Sequence, residues 1–158
     1  MEKYLEALVH VEDNVSVPTE TETMPVYLEN LRENKNNLLN NFSICSMSIT
    51  LNEESIKLCL IELATSSLRI LSAMKNASPR SIIASNAELF EKKNADYGNS
   101  FVDFGLIGIV VRLNDKINRI LNLNLLDGEQ ENIQVVDEKI EDTINDLYNY
   151  CIIGLMYA

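Results

Sequence analysis

Apolar residues recur along this chain at the three-and-four spacing of helices wherever a pattern can be read. From Thr50 onward the periodicity is firm. "TLNE" sets Thr50 three residues before Glu53, the signature of a capping box. The helix it opens is expected to run to about Lys75. Ile56, Leu60, Leu63, Leu68, Ile70 and Leu71 make that helix apolar almost all round, which predicts a central position. Its one polar stripe is Ser55, Glu62, Ser66 and Arg69. Ser78-Pro79 then supplies an N-cap followed by proline at the first helical position. The second helix carries "RSIIASNAELFEKKNADYG" to a stop at Gly98. A third helix spans about Phe101 to Leu123. After the loop "NLLDGEQENIQ", a fourth starts near Asp137 and continues to the C-terminus.

The first fifty residues follow a different pattern. Met1 to Val11 is a short amphipathic stretch, and "NVSVPTETETMP" reads as a polar linker. "VYLENLRENKNNLLNNF" is helical in character but rich in asparagine. We therefore divide the chain into an N-terminal helical arm with its linker, residues 1–50, and an all-α domain, residues 51–158. Four main helices with short connections predict an α-helical bundle. Five glycines and three prolines in 158 residues leave little material for the turns of an all-β fold.

Composition narrows the function classes. Hydrophobic residues make up 46% of the chain, which supports a folded core. The formal charge of −11 argues against binding a nucleic-acid polymer, yet permits a single nucleotide whose charge a metal or a few basic side chains balance. No run is apolar enough to predict a membrane span, and the opening "MEKYLEALVHVEDN" is not read as a secretory signal. Cys45, Cys59 and Cys151 are too scattered for a disulfide framework or a zinc knuckle, so they are expected to be reduced core thiols in a cytoplasmic protein. His10 is the only histidine, which removes histidine-based triads.

Two charged faces carry the candidate chemistry. At 100° per residue, Glu138, Glu141, Asp142, Asn145, Asp146 and Asn149 share one face of the last helix. Ile140, Ile144, Leu147 and Cys151 lie opposite and should enter the core. Like charges at i,i+4 repel, so this face calls for solvent, for ion pairs within the fold, or for a cation. Carboxylates are hard oxygen ligands of the kind that hold Mg²⁺. On the third helix Arg112, Asp115, Lys116 and Arg119 form one polar stripe. Gly105 and Gly108 lie on that same face, which suits either close helix packing or a ligand approaching the backbone.

Three segments in order, "KKNADYGNSF", "RLNDKINRI" and "VVDEKIEDTINDLYNYCIIGL", resemble the nucleotide modification associated domain of many phages and bacteria. That family is regarded as distantly similar to the MazG-like, dimeric-dUTPase-like all-α NTP pyrophosphohydrolases. The likeness covers about Phe90 to Met156. It implies a free nucleotide or nucleotide-derived ligand, Mg²⁺, and a homo-oligomer working in the cytoplasm (the host's, for a phage protein). Lys93, Asp96, Tyr97 and Gly98 match its K-x-x-D-Y-G element, and Arg112, Asp115, Lys116 and Arg119 its R-x-x-D-K-x-x-R element. Glu138, Asp142 and Asp146 fall in its final acidic element.

The resemblance implies roles for these residues. Glu138, Glu141 and Asp142, with Asp115, would hold the metal, and Glu138 and Asp142 would be catalytic. Lys93, Asp96, Tyr97, Arg112, Lys116 and Arg119 would bind substrate. The reaction would release pyrophosphate from a (deoxy)nucleoside triphosphate. The superfamily usually pairs an E-x-x-E helix with an E-x-x-D helix, whereas here E-x-x-E occurs once, as Glu138 with Glu141. That departure supports an alternative, a non-catalytic protein that sequesters a nucleotide signal.

Overall fold

The computed structural model describes residues 2–15, 24–45, 48–51, 53–97, 100–122 and 133–157, and side chains within 2–15, 24–41, 54–92, 105–122 and 140–157. Along the chain run α1 (Glu2–Val15), α2 (Met24–Asn40), a two-stranded hairpin β1 (Phe42–Cys45) and β2 (Ser48–Leu51), then α3 (Glu53–Lys75), α4 (Pro79–Tyr97), α5 (Ser100–Asn122) and α6 (Ile133–Tyr157). The fold is all-α, as the periodicity predicts. No helix among the described residues is long and apolar enough to cross a membrane.

α3 and α6 form the centre. α2 packs on α3, α5 packs on α6, α1 lies across both central helices, and α4 closes the side between them. The reason is visible in α3, where Ile56, Leu60, Leu63, Ala64, Leu68, Ile70 and Leu71 are fully buried. Each such leucine or isoleucine contributes about 1.5–3 kcal/mol on burial. A helix apolar on every side has to be surrounded. Its buried hydroxyls turn inward, with Thr65 Oγ1 donating to Ile61 O at 2.8 Å and Ser67 Oγ to Leu63 O at 2.7 Å. Neither hydroxyl is therefore stranded.

Residues 2–15 and 24–40 carry part of the same core. Tyr4, Ala7, Leu8 and Val11 recur at helical spacing on α1 and are buried, as are Leu28, Leu31 and Leu38 on α2. Tyr4 stacks on Phe90 of α4 with ring centroids 4.0 Å apart. Asn14 donates to Glu62 Oε1 and Thr65 Oγ1 of α3, and Lys35 of α2 donates to Asn118 Oδ1 of α5.

Several expectations on boundaries need correction. Thr50 does not cap α3: it lies in β2, paired with Ser43, and the helix begins only at Glu53. The hairpin itself was hidden in a short apolar–polar alternation, Phe42–Ser43–Ile44 against Ile49–Thr50–Leu51. α6 begins at Ile133, four residues before Asp137. The Ser78 cap is present, its Oγ accepting from the Ser81 amide at 3.3 Å. Gly105 explains itself by conformation. Its φ of 57° kinks α5, and an added Cβ would meet no protein atom within 4 Å, so backbone conformation and not close helix packing calls for glycine here. Gly154 is the reverse case, where a Cβ would stand 3.0 Å from Leu60 Cδ1 at the α3–α6 contact.

Candidate functional site

The core orients the polar face of α6. Ile140, Ile144, Leu147 and Cys151 are buried, as their spacing predicts. With that side fixed, Glu141, Asp142, Asn145, Asp146 and Asn149 turn toward α4, α5 and the end of α3. Two of the acids meet lysines. Lys75 Nζ, in the last turn of α3, stands 2.9 Å from Glu141 Oε1. Lys116 Nζ, on α5, stands 3.0 Å from Asp146 Oδ2. Both pairs are partly exposed, so each contributes at most about 1 kcal/mol to stability. Their effect is positional, since each holds an ammonium beside the same helix face.

Along this face, between α4 and α6, opens a cleft of about 360 Å³, lined by Lys75, Ser85, Asn86, Asp142, Asn145 and Asn149 among others. Its deep wall is a chain of amides. Asn86 Nδ2 donates to Ile82 O at 3.0 Å and to Asn145 Oδ1 at 3.2 Å. Asn149 Nδ2 donates to Asn86 Oδ1 at 3.1 Å. Asn149 Oδ1 is buried and has no hydrogen-bond partner. Asn86 and Asn149 are only 5% and 6% exposed, so that missing partner matters: a buried acceptor left unmet costs about 1–3 kcal/mol.

The other sequence-derived residues divide into three groups. Asp142 is exposed at the cleft. Arg112, Asp115 and Arg119 are exposed on α5 and form no ion pair with a described residue, while Lys116 from the same stripe reaches α6. Glu138 lies on α6 one turn before Asp142, and Lys93, Asp96 and Tyr97 lie near the end of α4, but their side chains, like Gly98 as a whole, fall outside the described residues. Among the described residues no three Asp, Glu, Cys or His side chains converge as a metal cluster. Of the described acids on this face, Glu141 and Asp146 meet lysines of the fold, and Asp142 does not.

Lys75 and Asn86 were missed in the sequence. Lys75 was legible only as the end of a helix. Asn86 did leave a signal, an asparagine amid the apolar positions of "SIIASNAELF", where a helix interior disfavours it.

A second cleft, about 370 Å³, lies between α2 and α3 and is lined by Asn34, Asn37, Asn41, Ser55, Cys59 and Glu62 among others. Glu62 is exposed here and accepts from Asn14. Burial first, and Glu62 second, push the Cys59 thiol above its ordinary pKa. That is the opposite of an activated nucleophile. Burial likewise raises Cys151, and raises Tyr148 together with smaller effects of Tyr4, Glu12 and Cys151. Cys59 and Cys151 are both free and buried, as expected of core thiols.

The family described as nucleotide modification associated domain 1 matches residues 93–157 of this chain, the stretch from the end of α4 through α5 and α6. Over that stretch the protein is similar to a nucleotide-linked family. No curated protein and no solved structure matches it.

Proposed function

We propose that the cleft between α4 and α6 binds a free nucleotide, and that the protein is a Mg²⁺-dependent nucleotide-processing enzyme hydrolysing a (deoxy)nucleoside triphosphate to monophosphate and pyrophosphate. One observation carries the reading. The polar wall of the cleft, Asp142 to Asn149, lies inside the segment matched by a nucleotide-linked family.

The charges of the cleft support it. Lys75 lines the cleft, and Lys116 is held by Asp146, which lines it as well. A polyphosphate in the cleft would meet the first ammonium directly and the second at the Asp146 edge. Exchange of carboxylate for phosphate at either ammonium keeps a charge-assisted hydrogen bond. Arg112 and Arg119, exposed on the stripe that carries Lys116, extend the basic side of the site.

The donor set suits Mg²⁺, which takes one or two carboxylates and retains waters and phosphate oxygens. Asp142 is the carboxylate of the cleft, among the described residues, that has no lysine partner, and Glu138 sits one turn earlier on the same helix face. Glu141 and Asp146 are occupied by Lys75 and Lys116, and Asp115 stands on α5 beside Lys116. When bound, Mg²⁺ supplies polarisation of phosphate oxygens and a more acidic water. Around it, Lys75 and Lys116 neutralise the polyphosphate, and Asp142 presents its side chain to the cleft.

A second reading, binding without hydrolysis, is favoured by the sequence, in which E-x-x-E occurs once, as Glu138 with Glu141. A thermal-shift titration with (deoxy)nucleoside triphosphates, with and without Mg²⁺, separates the two when the ligand is afterwards recovered and analysed. The expected result is a Mg²⁺-dependent stabilisation, about 2.7 kcal/mol at a hundredfold excess over Kd, with monophosphate and pyrophosphate recovered. Asp142→Asn should lose the Mg²⁺-dependent part of the shift as well as the products. Intact ligand after binding would establish the second reading. No shift with any nucleotide would overturn both.

A further inference from the structure

The amide chain on the cleft wall has a fixed polarity. Asparagine side chains can each be turned over, exchanging donor for acceptor. Here a backbone group removes that freedom. Ile82 O accepts only, so Asn86 must present Nδ2 to it, at 3.0 Å. Asn86 Oδ1 therefore faces Asn149, and Asn149 must answer with Nδ2, at 3.1 Å. The second hydrogen of Asn86 Nδ2 goes to Asn145 Oδ1 at 3.2 Å. Two consequences follow for the ends of the chain. Asn149 has an acceptor oxygen left over, buried and unmet, on a residue that is 6% exposed. Asn145, one turn earlier on α6, has its oxygen taken and its Nδ2 free of any described partner.

We propose that this pair is a base-reading edge: Asn149 Oδ1 accepts a hydrogen bond from an N–H of a nucleobase, and Asn145 Nδ2 donates to an adjacent ring nitrogen or carbonyl of the same base. This deepens the nucleotide reading of the cleft and rests on it. The ligand class is a nucleotide with an unsubstituted donor–acceptor edge. The base lies against α4 and α6 while its phosphates run toward Lys75 and Lys116. The unmet oxygen makes the edge selective. A ligand without a donor leaves Asn149 unsatisfied, and a site built to be hydrogen-bonded rejects a ligand that cannot do so far more strongly than an apolar site does.

The test uses the full-length protein and two kinds of probe. The α,β-imido analogues of dATP, dCTP, dGTP and dTTP resist hydrolysis and carry a base, whereas inorganic tripolyphosphate carries none. At least one analogue is expected to bind ten times more tightly than tripolyphosphate, or better. Asn149→Leu should reduce that preference to threefold or less without changing tripolyphosphate affinity. Asn145→Leu, at a half-buried position, should do the same and decides the matter if Asn149→Leu fails to fold, as judged by its melting transition. A folded Asn149→Leu or Asn145→Leu protein that keeps the full preference would make the amide chain a structural tie between α4 and α6 and overturn the inference. Tripolyphosphate binding as tightly as every analogue overturns it too, while leaving the phosphate half of the site standing. If no probe binds, the nucleotide reading itself falls with it.

Discussion

The cleft between α4 and α6 and the cleft between α2 and α3 are almost equal in size, about 360 and 370 Å³, and both are rich in asparagine. What separates them is where the amides find their partners. In the α2–α3 cleft they bond within their own helix, Asn34 Nδ2 to Asn30 O and Asn41 Nδ2 to Asn37 O. Those side chains are satisfied locally. Across the α4–α6 cleft the amides bond from helix to helix, and the chain ends on an oxygen with nothing to accept. Charge divides them in the same way. The α4–α6 cleft has Lys75 on its rim and Lys116 held by Asp146, whereas the α2–α3 cleft has Glu62 and a thiol whose ionisation burial opposes. Volume and composition alone would rank the two together. Unmet hydrogen-bonding capacity and held cations are what make one of them the candidate site.

The hardest way to break this comparison is to remove the cations. Lys75→Met with Lys116→Met should weaken binding of a nucleoside triphosphate by at least about a hundredfold, since each charge-assisted hydrogen bond contributes about 1.5–3 kcal/mol. The fold should survive, because both ion pairs are partly exposed and Glu141 and Asp146 can turn to water. Glu62→Gln in the α2–α3 cleft should leave the same affinity unchanged. Calorimetric titration of the three proteins measures it. Equal affinity in the double lysine variant, or a loss in Glu62→Gln, would move the site.

A smaller effect concerns stability without any ligand. Asn86→Ala deletes the middle of the amide chain and leaves Asn149 with both ends unmet in a buried position. The expected loss is about 1–3 kcal/mol, read from urea unfolding. A neutral outcome would mean that water reaches Asn149 freely, and that its oxygen carries no penalty for a ligand to relieve.

The sequence made the scaffold legible and only half of the site. α3 and the inner face of α6 could be read because burial repeats every three or four residues, and Leu60, Leu63, Ile144 and Leu147 obey that rule without reference to anything distant. Asp142 and Lys116 could be placed on polar stripes for the same reason. The partner of each charge could not. That Glu141 meets Lys75 and Asp146 meets Lys116 depends on how the ends of α3 and α5 pass α6, a matter of packing between segments far apart in the chain. The acidic face therefore left solvent, ion pairs and metal open, and packing made ion pairs of two of its acids. The amide chain was further out of reach, because its direction is set by a backbone oxygen, Ile82 O, which no side-chain pattern records. The short hairpin was lost between two helices whose periodicity dominated their surroundings.

The smallest effect sharpens the comparison by its sign. Asn37 lines the α2–α3 cleft, is exposed, and lies in the last turn of α2, where asparagine is a poorer helix former than alanine. Its backbone oxygen accepts from Asn41, and that bond does not depend on the Asn37 side chain. Asn37→Ala should therefore stabilise the protein by a few tenths of a kcal/mol, about 0.5. Asn86→Ala, the same chemical change in the other cleft, should destabilise it several times more strongly. Opposite signs for one substitution would establish that the asparagines of the two clefts serve different ends, tolerated on a helix surface in one and committed between helices in the other. Should Asn37→Ala instead cost stability on the scale of Asn86→Ala, the α2–α3 amides would belong to a network as consequential as the first, and the contrast drawn between the clefts would be lost.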